Sequence, residues 1–241
     1  MNVKEKLMMD AQGLYDNGPI NIVIFGDSVS HGAFNDYIDY ESVYWNILRK
    51  KLNAYRDYVP VNMINASIGG TTAKKSLPRM ERDVLSHRPD LVIISFGLND
   101  ANGAKEDYLD SLRQMFFACQ NVKSDVIFLT PNMLNTYVAE GTAPRHLEYA
   151  KTTAHIQNSG QMDDYIFSAI RLAQSLKVTV CDCYSKWKEL SKTQDTTQLL
   201  ANKINHPVPQ MHHLFADSLY EIIMGGDTTN RESDSTMYAE T

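Results

Sequence analysis

The chain has 241 residues, of which 43% are apolar and 22% charged, so it can bury one sizeable core and lacks the composition of a disordered or fibrous protein. Its 23 basic and 29 acidic residues give a formal charge of -6, without a basic run suited to nucleic acid, so we expect no nucleic-acid partner. Three cysteines, Cys119, Cys181 and Cys183, are too few for a disulfide framework, which agrees with a reducing compartment.

The chain begins with an amphipathic stretch, Val3 to Tyr15, that predicts a short helix ended at Gly18-Pro19. Charged residues interrupt its apolar positions, so it has neither the apolar core of an export signal nor the length of a membrane span. We therefore expect no membrane span and a cytoplasmic location.

Apolar runs rich in β-branched residues follow along the chain. They are near-continuous instead of alternating, as is typical of strands covered on both faces of a parallel sheet. The predicted strands are Ile20 to Phe25, the weaker Val59 to Asn65, Leu91 to Phe96, Val126 to Thr130 and Val178 to Cys181.

Segments with helical spacing lie between these runs and after the last one. They are Ser42 to Tyr55, Thr72 to Ser86, Tyr108 to Asn121, Met162 to Leu176 and Gln210 to Met224. The alternation of strands and helices predicts an α/β fold, a three-layer α/β/α sandwich around a parallel five-stranded sheet.

Two segments fall outside this alternation. The connection from Pro131 to Gly160 exceeds normal loop length, so it is a lid-like or substrate-facing insertion or hides a short helix. Residues 226–241 are polar and predict a disordered tail after a single domain over residues 1–225.

Polar and glycine residues follow the predicted strands, at the edge where open parallel sheets bind ligands. The segments are Gly26 to Gly32, Asn65 to Thr72 and Gly97 to Asp100, with Asn205 to Pro207 ahead of the last helix. Together they contain a hydroxyl, an imidazole and small or amide donors, which are the groups that acyl transfer needs.

In this order, the four segments resemble the SGNH or GDSL hydrolase superfamily, and the resemblance spans Ile20 to about Leu219. It implies a flavodoxin-like sandwich in which Ser28 attacks an ester carbonyl while His206 takes its proton. The backbone N–H groups of Ser28 and Gly70, with the side-chain amide of Asn99, would hold the oxyanion.

Two acidic residues beside these positions receive supporting roles. We expect Asp27 to be a capping and turn residue and Asp100 to anchor its loop. We expect no cofactor and no metal, because Cys181 and Cys183 on one predicted strand would point to opposite faces, a poor start for a zinc site.

The last segment departs from the family pattern Asp-x-x-His, because Lys203 occupies the aspartate position. One hypothesis is a Ser-His dyad, with the Nδ1–H of His206 held by a backbone carbonyl of residues 202–203 or by an asparagine side-chain oxygen. A second is an acid from elsewhere, either Asp182 or Asp195, and a third is a weakened or inactive enzyme. The asparagines on this loop are Asn202 and Asn205.

Other polar side chains are interpreted as structural or solvent-exposed, with contact to the substrate as the alternative. They are His31, the helix-start pair His212 and His213, and the insertion residues Tyr137, His146 and Tyr149.

The sequence thus predicts a carboxylic ester hydrolase acting on a small-molecule or glycan ester. Short acyl groups such as O-acetyl on carbohydrates are favoured, since no exposed apolar lid is evident. A GDSL lipase, lysophospholipase or thioesterase is an alternative. A flavodoxin-like binding module is another, although Gly69 to Thr72 lacks the lysine of a phosphate loop.

Overall fold

The apolar runs form a five-stranded parallel sheet in a computed structural model of the chain, which describes residues 3–55 and 59–225. The strands lie in the order β2-β1-β3-β4-β5, which is the flavodoxin-like arrangement of doubly wound sheets. The predicted fold class is therefore confirmed. The strands are β1 (Ile20–Gly26), β2 (Val61–Asn65), β3 (Leu91–Ser95), β4 (Asp125–Leu129) and β5 (Thr179–Cys181).

The centre of the sheet is formed by β1 and β3, whose apolar side chains are excluded from water on both faces. Ile22, Phe25, Leu91 and Ile94 all have 0% relative exposure. Burying each such side chain contributes roughly 1.5–3 kcal/mol. The register between the two strands sets Gly26 opposite Ser95, so their carboxyl ends finish side by side.

Helices cover both faces of this sheet. Among the described residues, α4 packs against α11, and α7 packs against α9. Right-handed crossovers between parallel strands place such helix pairs on the two faces of the sheet. The helices are α1 (Val3–Leu7), α2 (Ala11–Asn17), α3 (Ser28–His31), α4 (Tyr44–Ala54), α5 (Ala73–Ser76), α6 (Met80–Asp83), α7 (Lys105–Asn121), α8 (Leu147–Asn158), α9 (Gln161–Ser175), α10 (Cys183–Leu190) and α11 (His212–Met224).

Two predicted helices are wrong as single elements. The segment from Thr72 to Ser86 divides into α5, a 3-10 turn at Leu77–Arg79 and α6, because Pro78 supplies no backbone N–H at the break. The N-terminal stretch divides into α1 and α2, since the Asp10 side chain accepts the Gly13 N–H and starts a new helix.

The long connection at residues 131–160 contains α8, so a helix is hidden there. The expectation that Cys181 and Cys183 point to opposite faces is wrong, since residues two apart on a strand share a face, and Cys183 in fact begins α10 with its sulfur 3.8 Å from that of Cys181. Among the described residues, no helix is both long and apolar enough to cross a membrane. The predicted tail at 226–241 lies outside the described residues, and the cytoplasmic location stays a prediction.

Candidate active site

Ser28 lies at the carboxyl end of β1, where the strand turns sharply into α3. Gly26 permits this turn, because a Cβ there would stand 2.7 Å from the Ser95 carbonyl oxygen and 2.6 Å from the Ser30 hydroxyl. Asp27 then caps α3, its carboxylate accepting the Val29 N–H at 3.0 Å. The result is a serine in the first turn of a helix, 7% exposed.

The ring of His206 lies between Ser28 and a backbone carbonyl. Its Nε2 is 2.9 Å from the Ser28 hydroxyl oxygen, and its Nδ1 is 2.6 Å from the carbonyl oxygen of Phe34. A carbonyl only accepts hydrogen bonds, so Nδ1 carries the proton and Nε2 is left to accept from Ser28. Burial lowers the pKa of His206 below its usual value, which favours this neutral form, although the Phe34 carbonyl opposes the shift.

The carbonyl at Nδ1 corrects the expectation about the His206 loop. It belongs to Phe34, in the loop after α3, and not to residues 202–203 or to an asparagine side chain. Neither rival acid takes the role in the structure. Asp182 caps α10 and accepts from Thr130, while Asp195 accepts the hydroxyl of Tyr137.

Lys203, at the family's aspartate position, points away from His206. Its backbone has φ +60°, and its ammonium group donates to the Gln198 side chain at 2.9 Å. The loop is instead shaped by the Asn202 side-chain oxygen, which accepts three backbone N–H groups at 3.0 Å each. These belong to Ile204, Asn205 and His206. The Asn202 amide also donates to the Asn205 side chain at 2.9 Å, so both asparagines hold the loop that carries His206.

The loop after β2 brings Gly70 to the same edge of the sheet. The Ile68 N–H donates to the Gly26 carbonyl, so this loop runs beside the end of β1, and a Cβ on Gly69 would lie 3.6 Å from that of Ser28. Gly70 has φ +72° with nothing within 4 Å of a built Cβ. Glycine is therefore required by the left-handed backbone, not by a collision within the protein.

Asn99 and Asp100 join the loop after β3 to the Gly70 loop. The Asn99 amide donates to the Thr71 carbonyl at 3.1 Å, and the Asp100 carboxylate accepts the Ala73 N–H at 2.8 Å. An amide nitrogen carries two N–H groups, so Asn99 keeps one for a ligand. Ser28, Gly70, Asn99 and His206 thus lie at one edge of the sheet.

Two of the carboxyl groups at this edge are buried. Burial raises the pKa of Asp27 to about 7, although the Val29 N–H opposes the shift. Burial likewise raises the pKa of Asp100 to about 6, although the hydrogen bond from the Ala73 N–H opposes the shift. In both groups, burial therefore disfavours the charged form of the carboxyl.

A cavity of about 720 Å³ opens in front of Ser28 and His206. The 131–160 segment forms part of its wall through Ala143, His146 and Tyr149, so the segment lines the cavity as well as containing a helix. Other polar residues on its wall are Asn35, Asp36, Thr72, Lys75, Asn102, Asn202 and Asn205.

The remaining sequence candidates do not line this cavity, although His31 lies beside it, its Nδ1 3.6 Å from a Cβ built on the lining residue Gly69. Tyr137 lines a second cavity with Asp195, and His213 is exposed. His31 packs near the Tyr40 ring. His212 is fully buried and its Nδ1 accepts the Tyr44 N–H at 3.1 Å, and burial lowers its pKa to about 3.

Sequence reasoning missed Phe34, because its contribution is a backbone carbonyl and no residue type indicates one.

In the part of the chain that the structure describes, no group of three His, Cys, Asp or Glu side chains is placed to hold a metal ion.

Known proteins resemble this chain in sequence and in fold. The model of the GDSL-like lipase/acylhydrolase family matches residues 24–214. An uncharacterized lipoprotein of Bacillus subtilis (strain 168), YqeF, is 36% identical over 97 residues, which are 39% of this chain and only 38% of that protein.

Solved structures share the fold at low sequence identity. The acetylxylan esterase Axe2 of Geobacillus stearothermophilus has a TM-score of 0.67 at 19% identity, over 85% of this chain and 94% of that one. LAE5, an alpha/beta hydrolase from the metagenome of Lake Arreo, Spain, has a TM-score of 0.67 at 19% identity, over 86% and 95%. Because the family model covers more than half of the sequence, the chain belongs to the GDSL-like lipase/acylhydrolase family of ester-cleaving serine hydrolases.

Proposed function

We propose that this chain is a serine esterase that works with a Ser-His dyad and removes short acyl groups, such as O-acetyl, from carbohydrates. The observation that carries the dyad is the pair of contacts on His206, with Nε2 at 2.9 Å from the Ser28 hydroxyl and Nδ1 at 2.6 Å from the Phe34 carbonyl. This geometry supplies a base in the right tautomer without a third side chain.

In the first half of the proposed reaction, the Ser28 oxygen attacks the ester carbonyl carbon and its proton passes to Nε2 of His206. The carbonyl oxygen becomes an oxyanion, held by the N–H groups of Ser28 and Gly70 and the free N–H of Asn99. The intermediate then expels the alkoxide, which takes the proton from His206 and leaves an acyl-serine.

In the second half, a water molecule gives one proton to His206 while its oxygen attacks the acyl-serine. Collapse of this intermediate breaks the bond to the Ser28 oxygen, which recovers the proton, and releases the carboxylic acid. The same base and the same oxyanion donors serve both halves.

The carbohydrate part of the proposal is supported by the cavity wall. The side chains of Asn35, Asn102 and Tyr149 line the cavity and offer hydrogen-bonding groups, which suit a polyol. The similarity in fold to an acetylxylan esterase is consistent with this substrate class.

The nucleophile is tested with a fluorophosphonate probe and with p-nitrophenyl acetate. We expect the wild-type protein to be labelled and to hydrolyse the ester, and Ser28→Ala to do neither. Ser30→Ala is the matched control, since Ser30 lies on the same helix with its hydroxyl 2.8 Å from that of Tyr44, and it should still be labelled. Labelling of folded Ser28→Ala, or none of the wild type, would contradict the proposal and favour a binding module.

The acyl group is tested by chain length. We expect p-nitrophenyl acetate to be hydrolysed with a higher kcat/KM than the octanoate, and acetylated xylose to release acetate. The reverse order of chain lengths would favour the lipase alternative.

A further inference from the structure

Among the described residues, one charged side chain on the wall of the cavity in front of Ser28 has no ion-pair partner. Of its lining residues, Asp36 is paired with Arg145, whose guanidinium lies 2.5 Å from the carboxylate. The same guanidinium donates to Nε2 of His146 at 3.0 Å. The Asp36 carboxylate and the His146 ring therefore both have partners. Lys75, on α5, also lines the cavity.

Lys75 differs from its neighbour on the same helix. The Lys74 ammonium group is 2.8 Å from the Asp107 carboxylate. For Lys75, no carboxylate oxygen of residues 3–55 or 59–225 lies within 4.0 Å of the ammonium group, and the side chain is exposed. Its backbone is nevertheless held, because the Lys75 N–H donates to the Thr72 hydroxyl at 3.2 Å.

We infer that Lys75 binds an anionic group on the alcohol part of the substrate, so that the natural ester is an acetylated saccharide bearing a carboxylate. This inference rests on the proposed esterase function and narrows its substrate. The dyad and oxyanion donors act on the ester group of any acyl sugar, so they do not explain an unpaired cation in the same cavity. A positive charge on the wall of the cavity instead favours anionic sugars over neutral ones.

Binding tests the inference without turnover. In the Ser28→Ala background, isothermal titration calorimetry compares a mono-O-acetylated methyl glucuronoside with its uncharged carboxamide at low salt. We expect the acid to bind about fivefold tighter than the amide, as for a partly exposed ion pair. Adding Lys75→Met should bring this ratio to about one, and adding Lys74→Met should leave it unchanged.

A ratio near one in the Ser28→Ala parent, or a preference that survives Lys75→Met, would overturn the inference. The inference would also be overturned if Lys74→Met removed the preference for the acid as fully as Lys75→Met does. That outcome would show that the preference comes from the total positive charge of the helix and not from Lys75 itself. Hydrolysis of p-nitrophenyl acetate by the wild type tests the proposed function separately. The two failures are therefore distinguishable.

Discussion

Replacing Asn99 by alanine should remove one of the three proposed oxyanion donors while leaving the proposed nucleophile and base in place. The Asn99 amide already donates one N–H to the Thr71 carbonyl at 3.1 Å, so the second N–H is the one available to the substrate. Losing one such donor typically lowers kcat by roughly 100- to 1000-fold, or about 2.7–4 kcal/mol. The lost bond to Thr71 should cost only about 1 kcal/mol of folding stability.

The assay is the kcat for p-nitrophenyl acetate, measured together with the Tm. Asn158→Ala is the matched control, because the Asn158 amide also donates to a backbone carbonyl, that of Thr136 at 2.7 Å, away from the cavity in front of Ser28. It should lower stability by a similar amount and keep kcat. If Asn99→Ala retains kcat within about threefold of wild type, the assignment of Asn99 as a donor in this oxyanion hole is refuted.

Three further predictions concern His206, its loop and the buried carboxyl beside Ser28. Burial lowers the pKa of His206, so kcat/KM should rise with pH through an apparent pKa below 6.5, and a midpoint above that value would contradict the buried base. Lys203→Asp should not raise kcat, because Nδ1 of His206 already donates to the Phe34 carbonyl. A gain of about tenfold would show that an acid at this position can take over that hydrogen bond. The pKa of Asp27 is higher in the folded protein, so the protonated carboxyl stabilises the fold at low pH. This stabilisation is lost as the pH rises from the ordinary pKa of an aspartate to about 7, and the loss is on the order of 4 kcal/mol at most. Asp27→Asn keeps an acceptor for the Val29 N–H and should flatten the fall of Tm between about pH 5 and about pH 8; an unchanged fall would show that another group causes it.

The sheet was accessible from sequence because its strands are buried on both faces. Such strands are near-continuous apolar runs, and their ends mark the ligand-binding edge, which is how the segments Gly26 to Gly32 and Asn65 to Thr72 could be assigned to one site. The resemblance to the SGNH or GDSL superfamily then singled out Ser28 and Gly70 within them. The helices were harder, since a periodic pattern does not show where the chain breaks. Pro78 inside the predicted helix from Thr72 to Ser86 was the signal for that break.

The group facing Nδ1 of His206 was beyond sequence reasoning for a different reason. A backbone carbonyl is present at every residue, so only the three-dimensional path of the loop after α3 selects that of Phe34. The path is set by contacts distant in sequence, since the Phe34 ring is fully buried and packs 5.0 Å from the ring of His212, centroid to centroid. His212 was assigned to a helix start, and the structure shows it supporting this loop from within the core.

A carbonyl at Nδ1 performs only part of the work of an aspartate. It fixes the tautomer and the orientation of the ring, but it carries a dipole instead of a full charge, so it stabilises the imidazolium of His206 less. The burial of that ring also opposes its positive charge. In the proposed mechanism, more of the barrier reduction then has to come from charge stabilisation at the other end of the reacting group, where Ser28, Gly70 and Asn99 are proposed to hold the developing oxyanion.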